Sequence, residues 1–313
     1  MINDDAIIRF KSAVDSLCPA ADNRILLAVS GGPDSLALLL LANIAVPKRI
    51  AAATVDHGLR PEARDEARFV ADLCEKLNVE HLILTPEQPI TGNIQSAARK
   101  ARYALLEQAA RHLQCDAVAT AHHADDQLET LLMRVARGSG IDGLAAIREK
   151  NGRIIRPLLS FAKSELEHIC SDAAIAPVRD PSNDDSDFDR VAMRQYLVAC
   201  PHPFDAARAV RTASALADAA EALDWITQDL MPRRISSHGG GFGLDADGIP
   251  AEVQRRLVVK VLRMIEPDIA LRGDALDRLL HDLRDGRTAM IGNIICKGGS
   301  AWHFAPAPPR HIV

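Results

Sequence analysis

Apolar positions in the first half of the chain alternate between two periods. Ile25–Val29 (ILLAV) and Ile50–Val55 are short unbroken apolar runs, the pattern of strands buried on both faces of a parallel sheet. His81–Leu84 and Asp116–Ala121 (DAVATA) read as two more strands. Between them the pattern becomes helical, over Leu36–Leu41, Pro61–Leu77, Asn93–Leu113 and His123–Arg137. Pro61 suits a first helical turn. Strand and helix in alternation predict a parallel, doubly wound sheet, which binds its ligands at the carboxyl ends of strands.

Further along the pattern loosens. Gly138–Gly143 (GSGIDG) ends the fourth helix, Ile154–Leu159 (IIRPLL) reads as a short strand, and Ser164–Ala173 as a helix. Asp180–Asp189 (DPSNDDSDFD) is polar and turn-rich, so a surface loop is expected. Phe204–Leu230 predicts one long Ala-rich helix. A glycine-rich break follows at Gly239–Gly243, then helices over Pro250–Ile265 and Gly273–Arg284, then a hairpin around Gly298 and Gly299. The expected architecture is α/β: a mostly parallel doubly wound domain over residues 1–202 and a smaller helical and α+β domain over 203–313.

Composition narrows the classes. With 48% hydrophobic and 25% charged residues in 313, the chain is not a disordered one, and it is long enough to bury a core without disulfide or metal staples. The longest apolar run, Leu36 to Val46, is interrupted by Asn43 and falls short of the roughly 20 residues of a membrane span. The opening MINDDAIIRF lacks a basic region, so no secretory signal and a cytoplasmic location are expected. The six cysteines stand singly with no CxxC, against a zinc ribbon or redox pair and for reduced, buried thiols. The net charge of −5 excludes a uniformly basic nucleic-acid binder. Residues 201–313 hold 14 basic and 14 acidic side chains, so the deficit lies in the first 200. Two basic stretches interrupt it: Arg99, Lys100, Arg102 and Arg111, then Arg134, Arg137, Arg148, Lys150, Arg153 and Arg156. Each is either a solvated helix face or a local nucleic-acid patch.

The sharpest chemical signal is Ser30-Gly31-Gly32-Pro33-Asp34-Ser35, between a strand and a helix. Glycines let backbone N–H groups converge, the helix N-terminus adds positive charge, and the serine hydroxyls are further donors, which together make a phosphate cradle. The lysine of a Walker A loop is missing. Asp34 is the carboxylate that can hold magnesium on the phosphates instead. An ordinary β–α turn is the plain alternative. Asp56 and His57 end the second strand, where nucleotide contacts are expected, although His57 also suits a local cap. In HHADDQLE, helical spacing puts His122, Asp125, Asp126 and Glu129 on one face, a set suited to a metal or a cationic ligand, or simply to helix capping. Arg99, Arg102 and Tyr103 share a face, as a phosphate contact or a surface stripe.

SGGPDS after a buried strand resembles the PP-loop of the N-type ATP pyrophosphatases, which cleave ATP between its α- and β-phosphates and adenylate a substrate oxygen. Val55–Pro61 (VDHGLRP), Asn93-Ile94-Gln95 with Ala98–Tyr103 (ARKARY), Ala119–Thr130 (ATAHHADDQLET) and Arg137–Leu144 (RGSGIDGL) resemble the tRNA(Ile)-lysidine synthetases, in the family's order. Arg156-Pro157-Leu158-Leu159 and Asp180-Pro181-Ser182-Asn183 continue the match, which covers roughly residues 24–197. The match departs at Arg190-Val191-Ala192-Met193-Arg194, where members of the family usually carry Asn in place of Val191. The resemblance implies ATP bound by Ser30 to Ser35 with Asp56 and His57, magnesium on Asp34, and lysine held by Asp126 and Glu129. It implies catalysis by Asp34, Arg102, His122 and Asp126, and tRNA contacts from Arg99, Arg137, Arg190 and Arg194.

The implied reaction adenylates O2 of the wobble cytidine in the isoleucine tRNA with a CAU anticodon. The ε-amine of free L-lysine then displaces AMP at C2. The resemblance is compatible with a homodimer, and no membrane partner is expected. Two rivals remain: a PP-loop tRNA cytidine thiolase, which needs a persulfide route or an iron–sulfur cluster and hence paired cysteines, and a non-catalytic tRNA-binding protein whose loop is only an anion site. In the last third, Arg233-Arg234 and Arg255-Arg256 read as exposed charge before phosphate contacts.

Overall fold

The computed structural model describes residues 2–20, 22–58, 62–86, 94–178, 189–200, 202–271 and 273–308. The chain packs as two units, residues 1–215 and 216–313. The first unit opens with helix α1 (Asp4–Leu17) and continues β1 (Ile25–Ala28), α2 (Pro33–Ala45), β2 (Ile50–Val55), α3 (Glu62–Lys76), β3 (His81–Leu84), α4 (Ile94–His112), β4 (Ala117–Ala119) and α5 (Ala124–Ala136). Then come α6 (Ile141–Leu144), β5 (Lys150–Asn151), β6 (Ile154–Ile155), α7 (Lys163–Asp172) and α8 (Asp189–Ala199). The six strands form one sheet in the order β3-β2-β1-β4-β6-β5, parallel except for the edge hairpin β5–β6.

Unbroken apolar runs are needed here because both faces are covered. Ile25, Leu27, Ala52, Ala117 and Ala119 point into a core shared with Phe10 and Val14 of α1, the leucines of α2, and Leu166 and Ile169 of α7. The alternate residues Leu26, Ala51, Ala53 and Val118 meet Leu106, Ala109 and Ala110 of α4. Side chains alternate across a strand, so one short run serves both cores. The order in which strands are added reverses between β1 and β4: β2 and β3 lie to one side of β1, β4 and β6 to the other. That is the topological switch point, where a ligand crevice opens at the strands' carboxyl ends.

The strands at 50–55 and 81–84 match their expected bounds, and the helices expected at 123–137, 164–173, 250–265 and 273–284 match within two residues. The strand expected over 154–159 stops at Ile155, because Pro157 has no N–H to continue a ladder. Helix α1 was not foreseen. Leu59, Arg60, Pro61, Asn93 and the segment 180–188 lie outside the described residues.

Helix α9 (Ala206–Arg234) spans the division between the units, whereas the sequence boundary at 202/203 fell just before it. The second unit adds β7 (Ile235–His238), β8 (Gly241–Leu244), α10 (Ala251–Ile265), α11 (Gly273–Arg284), β9 (Thr288–Ile291), β10 (Ile294–Lys297) and β11 (Trp302–Pro306). Its five-stranded antiparallel sheet runs β7-β8-β11-β10-β9. Gly239 and Gly240, read as a break, are the turn of the β7–β8 hairpin, both at positive φ. Leu257, Val258, Val261 and Leu262 of α10 and Leu279, Leu280 and Leu283 of α11 make its core with Trp302 and Phe304.

Candidate active site

Two strand ends at the switch point carry the site. After β1 the chain turns at Gly31, whose φ of +87° disfavours any side-chain-bearing residue. Gly32 precedes α2 and Pro33 opens it. The Ser35 hydroxyl donates to the Gly32 carbonyl at 3.0 Å and accepts from the Ser30 N–H at 3.1 Å. Ser35 is thus buried and holds the loop closed, whereas Ser30 is exposed at its mouth.

Asp34 projects from the first turn of α2, with Oδ2 3.5 Å from His123 Nε2. Its other oxygen, Oδ1, is buried without a hydrogen-bond partner. A carboxylate oxygen left so beside a phosphate-cradling loop fits a hard cation, which takes one or two carboxylates and completes its shell with phosphate oxygens and water. Among the described residues no three His, Cys, Asp or Glu side chains converge as a ready-made metal cage. The residues therefore fit magnesium brought with a nucleotide better than a resident metal.

After β4 the chain places two histidines before α5. Helix α5 begins at Ala124, so His122 does not share a helical face with Asp126 and Glu129 as the spacing suggested. His123 is the N-cap and is 2% exposed. Its ring lies 3.5 Å from Asp34, 3.5 Å from Asp125 and 3.6 Å from Asp126, and its backbone N–H donates to Asp126 Oδ2 at 3.2 Å. Burial opposes its charge, but Asp125 and Asp34, with Asp126 beside them, outweigh it and push its pKa up to about 10. Asp125 is held below its usual range by His123, helped by the Lys163 N–H at 2.8 Å.

His122 turns the other way. Its Nδ1 lies 2.9 Å from Thr120 Oγ1, and burial pushes its pKa down to about 4, with Arg156, Arg99 and Arg102 adding to the effect against Asp126. It is a neutral imidazole beside a charged one.

Glu129, one turn along α5, is 3% exposed and already engaged. Arg194 of α8 grips both its oxygens, at 2.7 and 3.2 Å, and Arg190 lies 3.7 Å away while donating to Thr130 Oγ1. Arg194 also reaches to 3.8 Å from Asp126. Val191 is buried.

Beyond β2, the Asp56 carboxylate accepts from the Gly58 N–H at 2.8 Å and so makes the local cap. His57 keeps a buried Nδ1 with no hydrogen-bond partner, and burial, then Arg102, lower its pKa. Arg99 and Arg102 flank the Tyr103 ring at 5.2 and 5.4 Å. Arg137 caps the far end of α5, about 20 Å along the helix from His123 at 1.5 Å per residue, and does not join the cluster. Two residues given no role by the pattern matter here. His123 carried one overlooked signal, the N-cap to N3 spacing of His123-Ala-Asp-Asp126. Arg156, buried just after β6, stood in the second basic stretch and opened the Arg156-Pro157-Leu158-Leu159 segment, but its burial carried no signal.

Residues 4–200 match the PP-loop domain family. A tRNA(Ile)-lysidine synthase from Zymomonas mobilis is 44% identical over 298 residues, covering 91% of this chain and 88% of that one. The chain belongs to the tRNA(Ile)-lysidine synthase family. A second member, from Novosphingobium aromaticivorans, is 40% identical and covers 97% of this chain and 94% of its own length, so the likeness to the family includes the second unit. Among solved structures, the U34-tRNA thiolase NcsA from Methanococcus maripaludis superposes with a TM-score of 0.55 at 20% identity, over 68% of this chain and 80% of that one. That likeness is one of fold. The six cysteines here are free, and five of them are buried. No helix among the described residues is long and apolar enough to cross a membrane.

Proposed function

We propose that this member of the lysidine synthase family joins lysine to C2 of the wobble cytidine in the CAU-anticodon isoleucine tRNA, using ATP, in the cytoplasm. The observation that carries this reading is the meeting, at the β1/β4 switch point, of a phosphate-cradling loop with Asp34 and the acidic start of α5. The cytidine O2 attacks the α-phosphorus of ATP, pyrophosphate leaves, and C2 gains a good leaving group. The ε-amine of lysine then adds at C2, and AMP departs with the C2–O bond electrons.

In this reading the loop amides and the N-terminus of α2 hold the phosphates. Asp34 would hold magnesium, which would supply charge neutralisation on the departing pyrophosphate. Asp126 receives the lysine ammonium, which Glu129 serves through its field, since Arg194 and Arg190 already occupy that carboxylate. The ammonium must lose a proton before attack, because its ordinary pKa is about 10.4. Of the three candidate bases, Glu129 is saturated by arginine, which leaves Asp126 and the neutral His122. Arg99, Arg102, Arg137, Arg190 and Arg194 are proposed tRNA or adenylate contacts. A homodimer is compatible with this reading.

The test is transfer of labelled lysine to CAU-anticodon isoleucine tRNA, with and without ATP, and with elongator methionine tRNA as control. ATP-dependent label in the isoleucine tRNA alone is the expected result. Pyrophosphate release without label would keep the adenylation and remove lysine as the nucleophile. Neither product would leave a tRNA-binding protein.

A further inference from the structure

Arg156 follows β6 directly and lies beside the end of β4, where the Thr120 N–H donates to the Ile155 carbonyl at 3.0 Å. The residue is 8% exposed. One guanidinium nitrogen donates to the Arg148 carbonyl, while Nε is buried with no hydrogen-bond partner. No carboxylate among the described residues forms an ion pair with it. Its electrostatic neighbours are instead the Tyr103 phenol, the Arg99 guanidinium and the His122 imidazole. Arg99, exposed, and Arg102, half-exposed, each lie over the Tyr103 ring, and neither has an ion pair to a carboxylate among the described residues.

A buried guanidinium without a counter-ion is unfavourable, and further guanidiniums gathered around it make it more so. Arginine does not escape by losing its proton. The arrangement is consistent if an anion arrives from outside, and planar guanidiniums match phosphoryl oxygens in charge and geometry.

We propose that Arg156, with Arg99 and Arg102 around Tyr103, forms an anion pocket at the carboxyl ends of β4 and β6 that takes phosphoryl oxygens of a nucleotide substrate. Naming that substrate rests on the ligase reading. Two sources carry this chemistry: a phosphodiester of the tRNA beside its target cytidine, and the α-phosphate of ATP. Position favours the first. The sheet order puts β6 two strands from β1 and its phosphate loop, or about 10 Å at the usual strand spacing.

The experiment uses the full chain and two binding measurements that need no turnover. One follows CAU-anticodon tRNA binding over a range of salt concentrations; the other follows a non-hydrolysable ATP analogue. Arg156→Met is expected to weaken tRNA binding about tenfold and to reduce the salt slope by about 0.7–0.9, the value of one phosphate contact. Arg156→Lys is expected to restore the slope and only part of the affinity, because it keeps the charge and loses the fork. A purely packing role would leave the slope unchanged in both variants. Loss confined to the ATP analogue would assign the pocket to the ATP phosphate and would still uphold it.

If Arg156→Met does not fold, Arg156→Lys and Tyr103→Phe carry the test, with Tyr103→Phe expected to weaken the same arm severalfold. Folded variants that bind both ligands as the wild type does, with an unchanged slope, overturn the pocket. A wild type that binds both ligands yet transfers no lysine would sink the ligase reading while leaving the pocket standing.

Discussion

In the second unit, Arg233 pairs with Asp229, Arg234 with Asp245, Arg255 with Asp277 and Arg256 with Asp224. In the first, Arg99, Arg102 and Arg156 gather around Tyr103 and His122 with no ion pair to a carboxylate among the described residues. By sequence Arg99, Arg102 and Arg156 lie in basic stretches and the other four in a charge-balanced region. The difference is whether the fold supplies the counter-ion. Where it does, the charge serves the local structure and has little left for a ligand. Where it does not, at Arg156, a buried charge is held at a free-energy cost that an incoming anion would relieve. Arg190 and Arg194 lie between these cases: they are paired, but to Glu129 and Asp126 inside the candidate site.

The hardest test of that contrast lies at Asp34, whose Oδ1 is the one buried carboxylate oxygen among the described residues with no hydrogen-bond partner. Asp34→Asn is expected to lower tRNA-dependent pyrophosphate release by at least about 100-fold, the scale of losing a key electrostatic group. An unchanged thermal transition would separate this from unfolding, and near-normal release would remove Asp34 from the phosphate site. Next comes Asp126→Asn, expected to raise the KM for lysine about tenfold or more, as losing a charge-assisted contact does, with pyrophosphate release much less affected. Equal loss of both half-reactions would show that Asp126 acts on the nucleotide instead.

The comparison also makes a prediction about stability. Glu129→Gln leaves two arginines facing a neutral buried amide and is expected to destabilise the first unit by about 3 kcal/mol. Asp277→Asn breaks a half-exposed pair in the second unit and is expected to change stability by no more than about 1 kcal/mol. Urea titrations of the two variants that gave equal losses would erase the distinction between buried and peripheral pairs.

The smallest effect expected is at His81, remote from the site, whose Nε2 lies 2.9 Å from Thr54 Oγ1. Burial lowers its pKa, so the unfolded chain takes up its proton first as pH falls. Stability should therefore fall on acidification below about 6.5, the unperturbed histidine value. His81→Asn should flatten that part of the curve in pH-dependent urea unfolding; an unchanged slope would assign it to other groups.

Much of the first unit was legible because its strands are buried on both faces and so read as unbroken apolar runs. The phosphate loop was legible because its backbone demands glycine at Gly31 and tolerates proline at Pro33. Less could be read at α5. The spacing argument took the helix to include His122, whereas the chain stays extended through His123 and only then coils. One residue of offset exchanged the two imidazoles: His123 faces three carboxylates, and His122 faces arginines.

Sequence alone determined the alternation of strands and helices from β1 to α5, the glycine loop after β1, the acidic character of the α5 start and the family. Each of these is local: a periodicity, a turn that needs glycine, or a run of residue types. Which charges meet was decided only by tertiary structure. Glu129 finds Arg194 sixty-five positions away, and Asp34 finds His123 across the gap between β1 and β4. Arg156 ends up buried, with no ion pair to an acid among the described residues. Local signals cannot carry such pairings, because a charge's energy depends on what surrounds it in space and on how much water remains, and the packed sheet sets both.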